Sequence, residues 1–259
     1  MATPDDHRLA AELAERTGTL LLRLRDRLVA HGTSADVVKR CGDLAAHQYL
    51  TDRLAAERPD DAVLSEEATE DEQQDRARLS AARVWIVDPL DGTREYSEGR
   101  ADWAVHVALV EDRVPTAGAV AIPSEGLVLS TEHPPAPPPA SGDAAPVRFA
   151  VSRTRPPAVT QQVAELLGAE PVPMGSAGVK AMAVVLGRAD AYLHTGGQKQ
   201  WDNCAPVAVA GAAGLWCSRL DGSPLRYNDL DVELPDLLIC RPELADRLRT
   251  ALDSLGERG

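Results

Sequence analysis

The sequence predicts a layered α/β fold that has an α+β N-terminal half and an α/β C-terminal half. Three observations support this prediction: amphipathic helical patterns near the N-terminus, a series of short strand-like segments after them, and an alternation of strand and helix patterns beyond residue 146. A Pro- and Ala-rich break, HPPAPPPASGDAAP at residues 133–146, separates the halves. We therefore predict an N-terminal domain over residues 1–140 and a C-terminal domain over residues 141–259.

The N-terminal half begins with two predicted helices. Residues 8–30 place leucines at helical intervals opposite a polar face, and a second helix is predicted to start near Asp43, a candidate N-cap, and to end at Pro59. A short apolar run at residues 62–64 precedes a charged stretch, residues 68–83, which predicts a loop or an exposed helix. Largely antiparallel strands are predicted at residues 84–88, 103–110, 116–122 and 126–131.

The C-terminal half alternates between the two kinds of pattern. Strands are predicted at residues 147–152, 190–194, 215–218 and 236–240. Helices are predicted at residues 157–167, 177–187, 203–213 and 242–254. This alternation is typical of α/β structure.

The formal net charge of −13 argues against binding to a nucleic-acid polymer, because such a surface repels a phosphate backbone. A small anionic ligand is still compatible, since bound divalent cations reverse the local charge. The N-terminus has no apolar signal core, and no apolar run of about 18 residues is present. These features predict a cytoplasmic protein without a membrane partner, in which the cysteines are reduced thiols.

The segment DPLDGT, residues 88–93, carries the strongest chemical signal. It follows the apolar strand VWIV and places Asp88 and Asp91 around a proline that suits a sharp strand-to-helix turn. Such a turn can direct both carboxylates and the intervening Leu90 carbonyl to one point, and Mg²⁺ accepts this set of oxygens. Gly92 allows the backbone to approach a ligand closely. The alternative interpretation is an ordinary Asp-Gly surface turn.

Two further acidic sites lie elsewhere in the chain. Glu66 follows a short apolar run, and alone it suits a solvated acidic loop. Asp202 opens an Ala-rich helix, and alone it suits a helix N-cap. Together with Asp88 and Asp91, they provide the inventory of a multi-metal phosphoryl-transfer site. In such a site, Mg²⁺ ions generate the nucleophile and stabilise the leaving oxygen.

Three motifs, SEE, WIVDPLDGT and WDNCAP in that order, resemble the signature of the inositol monophosphatase superfamily. GDLAAHQYL, GSAGVKAM and ADAYLHT also fit, so the resemblance extends over nearly the whole chain. It implies a five-layer αβαβα sandwich with the active site where the halves meet. It also implies two or three Mg²⁺ ions per site. The implied metal ligands are Glu66, Asp88, the Leu90 carbonyl, Asp91 and Asp202.

The resemblance also implies roles for individual side chains. Thr93 matches the residue that, with a neighbouring acid, orients the attacking water, and Asp43 matches an acid near a further, weaker metal. We therefore take Thr93, Asp43 and Glu66 as catalytic candidates. The implied reaction is hydrolysis of a phosphomonoester by in-line attack of water, without a covalent enzyme intermediate.

Other stretches indicate a branch of the superfamily. DGTREYSEGRADWAVHVALV, GSAGVK and SRLDGSPLRYN resemble CysQ-type 3′(2′),5′-bisphosphate nucleotidases of actinobacteria, although Tyr96 replaces the usual Phe and Gln-Lys-Gln precedes Trp201. The branch implies 3′-phosphoadenosine 5′-phosphate as substrate, sensitivity to Li⁺ and a homodimer. The substrate-binding candidates are Gly92, Thr93, Arg94, Gly175, Ser176, Lys180 and Asp202.

Several assignments have alternatives. Lys180 also suits an exposed helical lysine, and Arg94 and Arg100 also suit arginines that face solvent. His106 lies in an apolar alternating strand and is interpreted as structural, and no His–Asp partners indicate that Ser176 is a nucleophile. Rival substrates are inositol-1-phosphate, fructose-1,6-bisphosphate and histidinol phosphate. Rivals of another class are a catalytically silent nucleotide- or metal-binding regulator and a structural acidic protein.

Overall fold

The computed structural model describes residues 1–137 and 146–256. These residues form five layers, in which two five-stranded sheets alternate with three layers of helices. The predicted α/β sandwich is therefore confirmed. The predicted boundary between residues 140 and 141 lies outside the described residues, and the division into two domains stays a prediction.

The first layer consists of α1 (Pro4–Ala30) and α2 (Ala35–Glu57). A capping box between Thr3 and Asp6 fixes the start of α1. The prediction that Asp43 is the N-cap of the second helix was wrong, because α2 starts after Ser34 and Asp43 lies in its interior. The buried face of α2 begins upstream at Val38 and repeats at four-residue intervals, which extends the helix in that direction.

The first sheet has the order β1-β2-β3-β4-β5. Its strands are β1 (Ala62–Ser65), β2 (Arg83–Asp91), β3 (Ala104–Glu111), β4 (Val114–Ile122) and β5 (Leu127–Ser130). The predicted antiparallel arrangement holds from β2 to β5, whereas β1 runs parallel to β2. The charged stretch between β1 and β2 contains two short helices, α3 (Glu70–Gln73) and α4 (Arg76–Ser80), and α5 (Thr93–Ser97) follows β2.

The second sheet is mixed and has the order β7-β6-β8-β10-β9. Its strands are β6 (Arg148–Ser152), β7 (Glu170–Met174), β8 (Ala191–Lys199), β9 (Trp216–Ser218) and β10 (Glu233–Cys240). The helices of this half are α6 (Ala158–Leu167), α7 (Ala177–Val185), α8 (Gln200–Ala212) and α9 (Ala245–Ser254). The sequence did not predict β7, because its motif EPVPM contains two prolines. Proline is tolerated in β7 because this strand lies at the sheet edge.

The helices α7 and α8 form the middle layer, and their apolar side chains join both sheets in one core cluster. The approach of α8 to β4 is close because the facing residues are small. A Cβ atom added at Gly118 would lie 2.9 Å from the Cβ of Ala208 and 3.5 Å from Ala205. The layer thereby brings the start of α8 to the end of β2, where the acidic motifs lie.

The helices α6 and α9 cover the outer face of the second sheet and complete the fifth layer. Within residues 1–137 and 146–256, no helix combines the length and the apolar character needed to span a membrane.

Candidate active site

Two carboxylates lie at the end of β2, an inner strand whose residues from Val84 onward are buried. The register with β3 shifts between Asp88 and Asp91, where the proline cannot donate a ladder hydrogen bond. The Asp88 carboxylate accepts a hydrogen bond from the Leu90 amide at 3.1 Å. Asp88, Asp91 and His106 of β3 can each provide a ligand atom within 4.8 Å of the others. The predicted sharp turn directly after Asp88 was wrong, because β2 continues to Asp91 with a shift in register, and this irregular strand end still brings both carboxylates to one point.

Asp91 is held by donors from the start of α7. Its Oδ2 atom accepts hydrogen bonds from the Ser176 hydroxyl at 2.5 Å and from the Gly178 amide at 2.6 Å. The Nε2 atom of His106 lies 3.2 Å from the same oxygen. Burial alone would raise the pKa of Asp91, but His106 and the two donors outweigh burial and lower it to about 2. Asp91 is therefore a fixed anion.

His106 connects Asp91 to α8. Its Nδ1 atom lies 3.0 Å from the Trp201 carbonyl, which can only accept, so Nδ1 carries a proton. Burial would lower the pKa of His106, yet the Asp91 carboxylate opposite Nε2 raises it overall. A Cβ atom at Gly178 would lie 2.0 Å from Nε2, so glycine is required there. The structural interpretation of His106 missed this contact, because Trp201 is 95 positions away in the sequence.

Three carboxyl groups around Asp91 have raised pKa values. Glu66 directly follows β1, and its amide donates to the Val87 carbonyl of β2 at 3.3 Å. Glu66 is exposed as a residue, but neighbouring protein atoms desolvate its carboxyl group and raise its pKa to about 7. This carboxyl group shares a hydrogen bond with Asp88. Burial and the neighbouring acids raise the pKa of Asp88 as well. Burial and Asp91 raise the pKa of Asp202 to about 6.

This cluster fits a hard divalent cation. Ligand atoms of Asp88 and Asp91 meet within 4.8 Å, and the charges of Glu66 and Asp202 lie near enough to raise the pKa of Asp88, so a positive charge among these carboxylates is favoured. Leu90, whose carbonyl the sequence also assigns to the metal, is buried in β2 between the two aspartates. Oxygen donors of this kind suit Mg²⁺ or a related ion better than a soft metal. Within the described residues, the structure thus contains a group that could bind metal where the sequence predicts one.

The remaining acidic candidates occupy different positions around the cluster. The alternative of an N-cap role for Asp202 was wrong: it is the third residue of α8, where its carboxylate accepts a hydrogen bond from the amide of the N-cap residue Lys199 at 2.5 Å and faces the cluster. Asp43 lies on α2, and burial together with Glu67 raises its pKa to about 7. Thr93 is half-buried and begins α5. The catalytic roles of Asp43, Glu66 and Thr93 stay predictions.

A cleft of about 310 Å³ opens beside the cluster. Six of the predicted substrate-binding residues line this cleft: Gly92, Arg94, Gly175, Ser176, Lys180 and Asp202. Its walls also include residues that the sequence did not single out, among them Glu95, Arg155, Tyr192, His194 and Gln198. These residues come from α5, the end of β6 and the long strand β8, which no local motif connects.

The two cationic candidates in the cleft differ in exposure. Lys180 is only 5% exposed, and its ammonium group donates to the Gly175 and Ser176 carbonyls. The alternative of an exposed helical lysine is therefore wrong. Arg94 is largely exposed and pairs with Glu98 at 2.9 Å, as Arg100 does at 2.8 Å. Lys180 is thus the better-fixed positive charge.

The turn before α7, whose Gly175 and Ser176 carbonyls accept hydrogen bonds from Lys180, is held in place by a residue of the N-terminal half. The Asp102 carboxylate accepts hydrogen bonds from the Gly175 amide, at 2.6 Å, and from Arg153. A Cβ atom at Gly175 would lie 2.5 Å from the Cγ atom of Glu95, so any side chain there would have to displace the Glu95 side chain. Asp102 and Glu95 therefore position the cleft wall.

Comparisons with known proteins agree with this geometry. A 3′-phosphoadenosine 5′-phosphate phosphatase of Mycobacterium leprae (strain TN) is 51% identical over 251 residues, which cover 93% of this chain and 90% of that protein. The 3′(2′),5′-bisphosphate nucleotidase CysQ of Escherichia coli (strain K12) is 31% identical over 233 residues, which cover 84% of this chain and 92% of that protein.

The crystal structure of inositol monophosphatase II from Staphylococcus aureus MSSA476 is similar with a TM-score of 0.78 and 19% identity, and the match covers 99% of each chain. At this identity the similarity shows the fold alone. The model of the inositol monophosphatase family matches residues 6–257. With the M. leprae relative and the predicted acidic motifs assembled at one cleft, this match shows that the chain belongs to the inositol monophosphatase family.

Proposed function

We propose that this protein is a Mg²⁺-dependent phosphatase that hydrolyses 3′-phosphoadenosine 5′-phosphate to AMP and phosphate. The observation that carries the proposal is the cluster of four carboxyl groups that meets a cleft lined by a buried lysine. The name of the M. leprae relative supports the choice of substrate.

The residues that would hold two or three Mg²⁺ ions are Glu66, Asp88, the Leu90 carbonyl, Asp91 and Asp202. When bound, Mg²⁺ supplies positive charge for the phosphoryl oxygens and the leaving oxygen and makes water a better nucleophile. The low pKa of Asp91 keeps one ligand ionised at every physiological pH. Glu66, Asp88 and Asp202 must lose their protons first.

The chain's own side chains orient the reactants. In this proposal, Thr93 and a neighbouring acid hold the attacking water by hydrogen bonds, and the water attacks phosphorus in line with the leaving ribose oxygen. The Lys180 ammonium group lies on the cleft wall, where it attracts an anionic substrate. Asp43, whose carboxyl group lies near Glu67, would hold a further, weaker ion.

The test is phosphate release by the purified protein in Mg²⁺. Four substrates are compared at equal concentration: 3′-phosphoadenosine 5′-phosphate, inositol-1-phosphate, fructose-1,6-bisphosphate and histidinol phosphate. We expect a strong preference for the nucleotide. Preference for another ester would overturn the choice of substrate, and no release from any would favour a silent regulator.

Two variants control this assay. Asp88→Asn removes one negative metal ligand and should abolish release. Asp246→Asn makes the same chemical change on α9, where the Asp246 side chain is 96% exposed, and should leave release unchanged. Equal loss in both variants would point to a general defect of the preparation.

The proposal also includes a cytoplasmic homodimer that Li⁺ inhibits. Light scattering coupled to size-exclusion chromatography measures the oligomeric state. Titration of Li⁺ at fixed Mg²⁺ measures inhibition, and unchanged activity at high Li⁺ would remove that part of the proposal.

A further inference from the structure

Four polar side chains form a hydrogen-bonded chain from the middle layer to the cleft. The Tyr227 hydroxyl lies 2.7 Å from the Asn203 side-chain oxygen, and the Asn203 side-chain nitrogen lies 3.0 Å from the Gln198 side-chain oxygen. The Gln198 side-chain nitrogen lies 2.9 Å from the Tyr192 hydroxyl. All four residues are at most 5% exposed. The chain ends at the cleft, which Tyr192 and Gln198 line.

The hydrogen bonds along these four side chains can run in only two directions. Either amide can be turned by 180°, but every contact pairs a donor with an acceptor only when Asn203 and Gln198 turn together. In one direction Tyr227 donates and Tyr192 accepts, and in the other these roles are reversed. Within the described residues, neither hydroxyl has a second hydrogen-bond partner. Each direction therefore leaves one hydroxyl proton without an acceptor, either in the core or at the cleft.

The surroundings of the two hydroxyls decide the direction. Tyr227 is fully buried in the apolar cluster of the middle layer, where an unpaired proton would cost the whole desolvation of the O–H group. Tyr192 belongs to the same apolar cluster and is 1% exposed, but unlike Tyr227 it also lines the cleft, where an oxygen of an entering ligand can accept its proton. The favoured direction is therefore the one in which Tyr227 donates to Asn203 and the O–H group of Tyr192 remains available to a ligand in the cleft.

We propose that Tyr192 donates a hydrogen bond to an anionic oxygen of the bound phosphate ester, and that Gln198, Asn203 and Tyr227 are positioning residues that keep its proton directed at the cleft. This inference rests on the proposed phosphatase function. The Lys180 ammonium group lies 5.3 Å from the centre of the Tyr192 ring, so donor and cation are neighbours on one wall. An oxygen that carries negative charge is the ligand that this pair of groups fits.

The first experiment compares steady-state kinetics of the wild-type protein and Tyr192→Phe on 3′-phosphoadenosine 5′-phosphate at saturating Mg²⁺. The substitution keeps the ring and removes only the donor. We expect kcat/KM to fall about 10- to 100-fold, the usual cost of losing a hydrogen bond to a charged group. The half-saturating Mg²⁺ concentration should stay within about twofold. A kcat/KM within twofold of wild type would show that the hydroxyl bonds only to water.

The second experiment tests the direction in which the hydrogen bonds run from Tyr227 to Tyr192. Tyr227→Phe should lower kcat/KM by a smaller factor, because the chain can then reverse and withdraw the Tyr192 proton. In the Tyr192→Phe background the same change should have no further effect. Equal effects of Tyr227→Phe in both backgrounds would overturn the positioning role. Tyr49→Phe, on the half-buried Tyr49 of α2, is the matched control.

A third measurement separates this inference from the proposed function. Calorimetric titration with inorganic phosphate in Mg²⁺ requires no turnover, and Tyr192→Phe should weaken phosphate binding about tenfold. If the wild-type protein hydrolyses no ester but the variant weakens phosphate binding, the function is wrong and the donor is right. Equal binding by both proteins overturns the donor whatever the substrate.

Discussion

The acidic cluster draws on two regions that differ in how they are held. Asp88 and Asp91 stand on an inner strand, between two layers of helices, and are almost fully buried. Glu66 begins an exposed segment, residues 66–80, that connects the parallel strands β1 and β2. The part of the site at Asp88 and Asp91 is therefore formed by the sheet itself, whereas the part at Glu66 depends on a few side-chain contacts.

Arg78 provides most of these contacts. Its guanidinium group is 2% exposed and donates to the Asn228 side chain at 2.5 Å, the Gln73 carbonyl at 2.8 Å and the Asp229 carbonyl at 3.1 Å. The Gln73 side chain in turn donates to the Glu66 carbonyl at 2.8 Å. Glu66 is therefore fixed through Gln73 and Arg78 to the second half of the molecule.

The largest effect is expected for the strand-held region. Asp91→Asn removes the fixed anion that His106, Ser176 and the Gly178 amide surround. We expect kcat to fall about 1,000-fold or more, with Mg²⁺ affinity falling in parallel, because a ligand and its charge are both lost. Phosphate release and calorimetry measure the two quantities. Circular dichroism should show the native fold, and retention of a tenth of the activity would contradict the assignment.

An intermediate effect is expected for the segment. Arg78→Met nearly keeps the volume of the buried side chain but removes its three guanidinium hydrogen bonds, so that only the backbone carbonyl of residue 78 still bonds to Asn228. The half-saturating Mg²⁺ concentration should rise about tenfold while kcat at saturating Mg²⁺ falls less, since metal binding can still order the segment. Arg76→Met, on the exposed Arg76 of the same short helix, is the control. A fall in kcat alone would mean that Arg78 acts in another way.

A smaller effect concerns pH and distinguishes the carboxyl groups directly. The folded-state pKa values of Glu66, about 7, and Asp202, about 6, lie above their ordinary values, so both groups are partly protonated near pH 6.5. Mg²⁺ requires the ionised forms, so its binding should release protons, and its affinity should rise between about pH 5.5 and 8. Asp91, with its low pKa, contributes no proton.

Calorimetry in buffers with different ionisation enthalpies measures this proton release. The same shifts imply that the metal-free protein loses stability as pH rises from about 4 to about 7, between the ordinary and the raised pKa values, because the folded state there binds more protons than the unfolded chain. Binding enthalpies that are independent of the buffer would contradict the raised pKa values.

The smallest effect is expected at the outer end of the segment. Thr69 caps α3 through a capping box with Glu72, and both are exposed. Thr69→Ala should cost about 1 kcal/mol locally and increase protease cleavage within residues 66–80. Activity should stay within about twofold, because Arg78 still fixes the segment. A tenfold loss of activity would show that the cap, rather than Arg78, positions Glu66.

The contrast also explains what the sequence could predict. The proposed ligands Asp88 and Asp91 follow from one hexapeptide, since both stand at the irregular end of one strand and local geometry places them. His106 and Arg78 could not be found in this way. Arg78 lies in a run of charges that predicts an exposed segment, and its partner Asn228 is 150 positions away. Burial of a lone arginine leaves no local pattern, because it depends on which distant carbonyls happen to surround it.

The boundaries of α2 and β8 show the same limit. Asp43 has the chemistry of an N-cap, but the apolar face of the helix continues upstream of it, and packing on the sheet decides the start. β8 continues through Gly196 and Gly197 to Lys199, because β10 pairs with it beyond the predicted end at residue 194. Propensity alone ends a strand at such glycines.

The close packing of Gly118 against Ala205 and Ala208 has a consequence for how this protein can change. Because α8 touches both sheets, a larger residue at this contact would shift Asp202 relative to the carboxylates of β2, so the spacing of the proposed metal ligands has almost no freedom to drift. The outer cleft wall at residues 152–155 and 194–197 is half-buried or exposed and lacks this packing constraint. New substrate preferences can therefore arise there while the metal chemistry stays inherited unchanged.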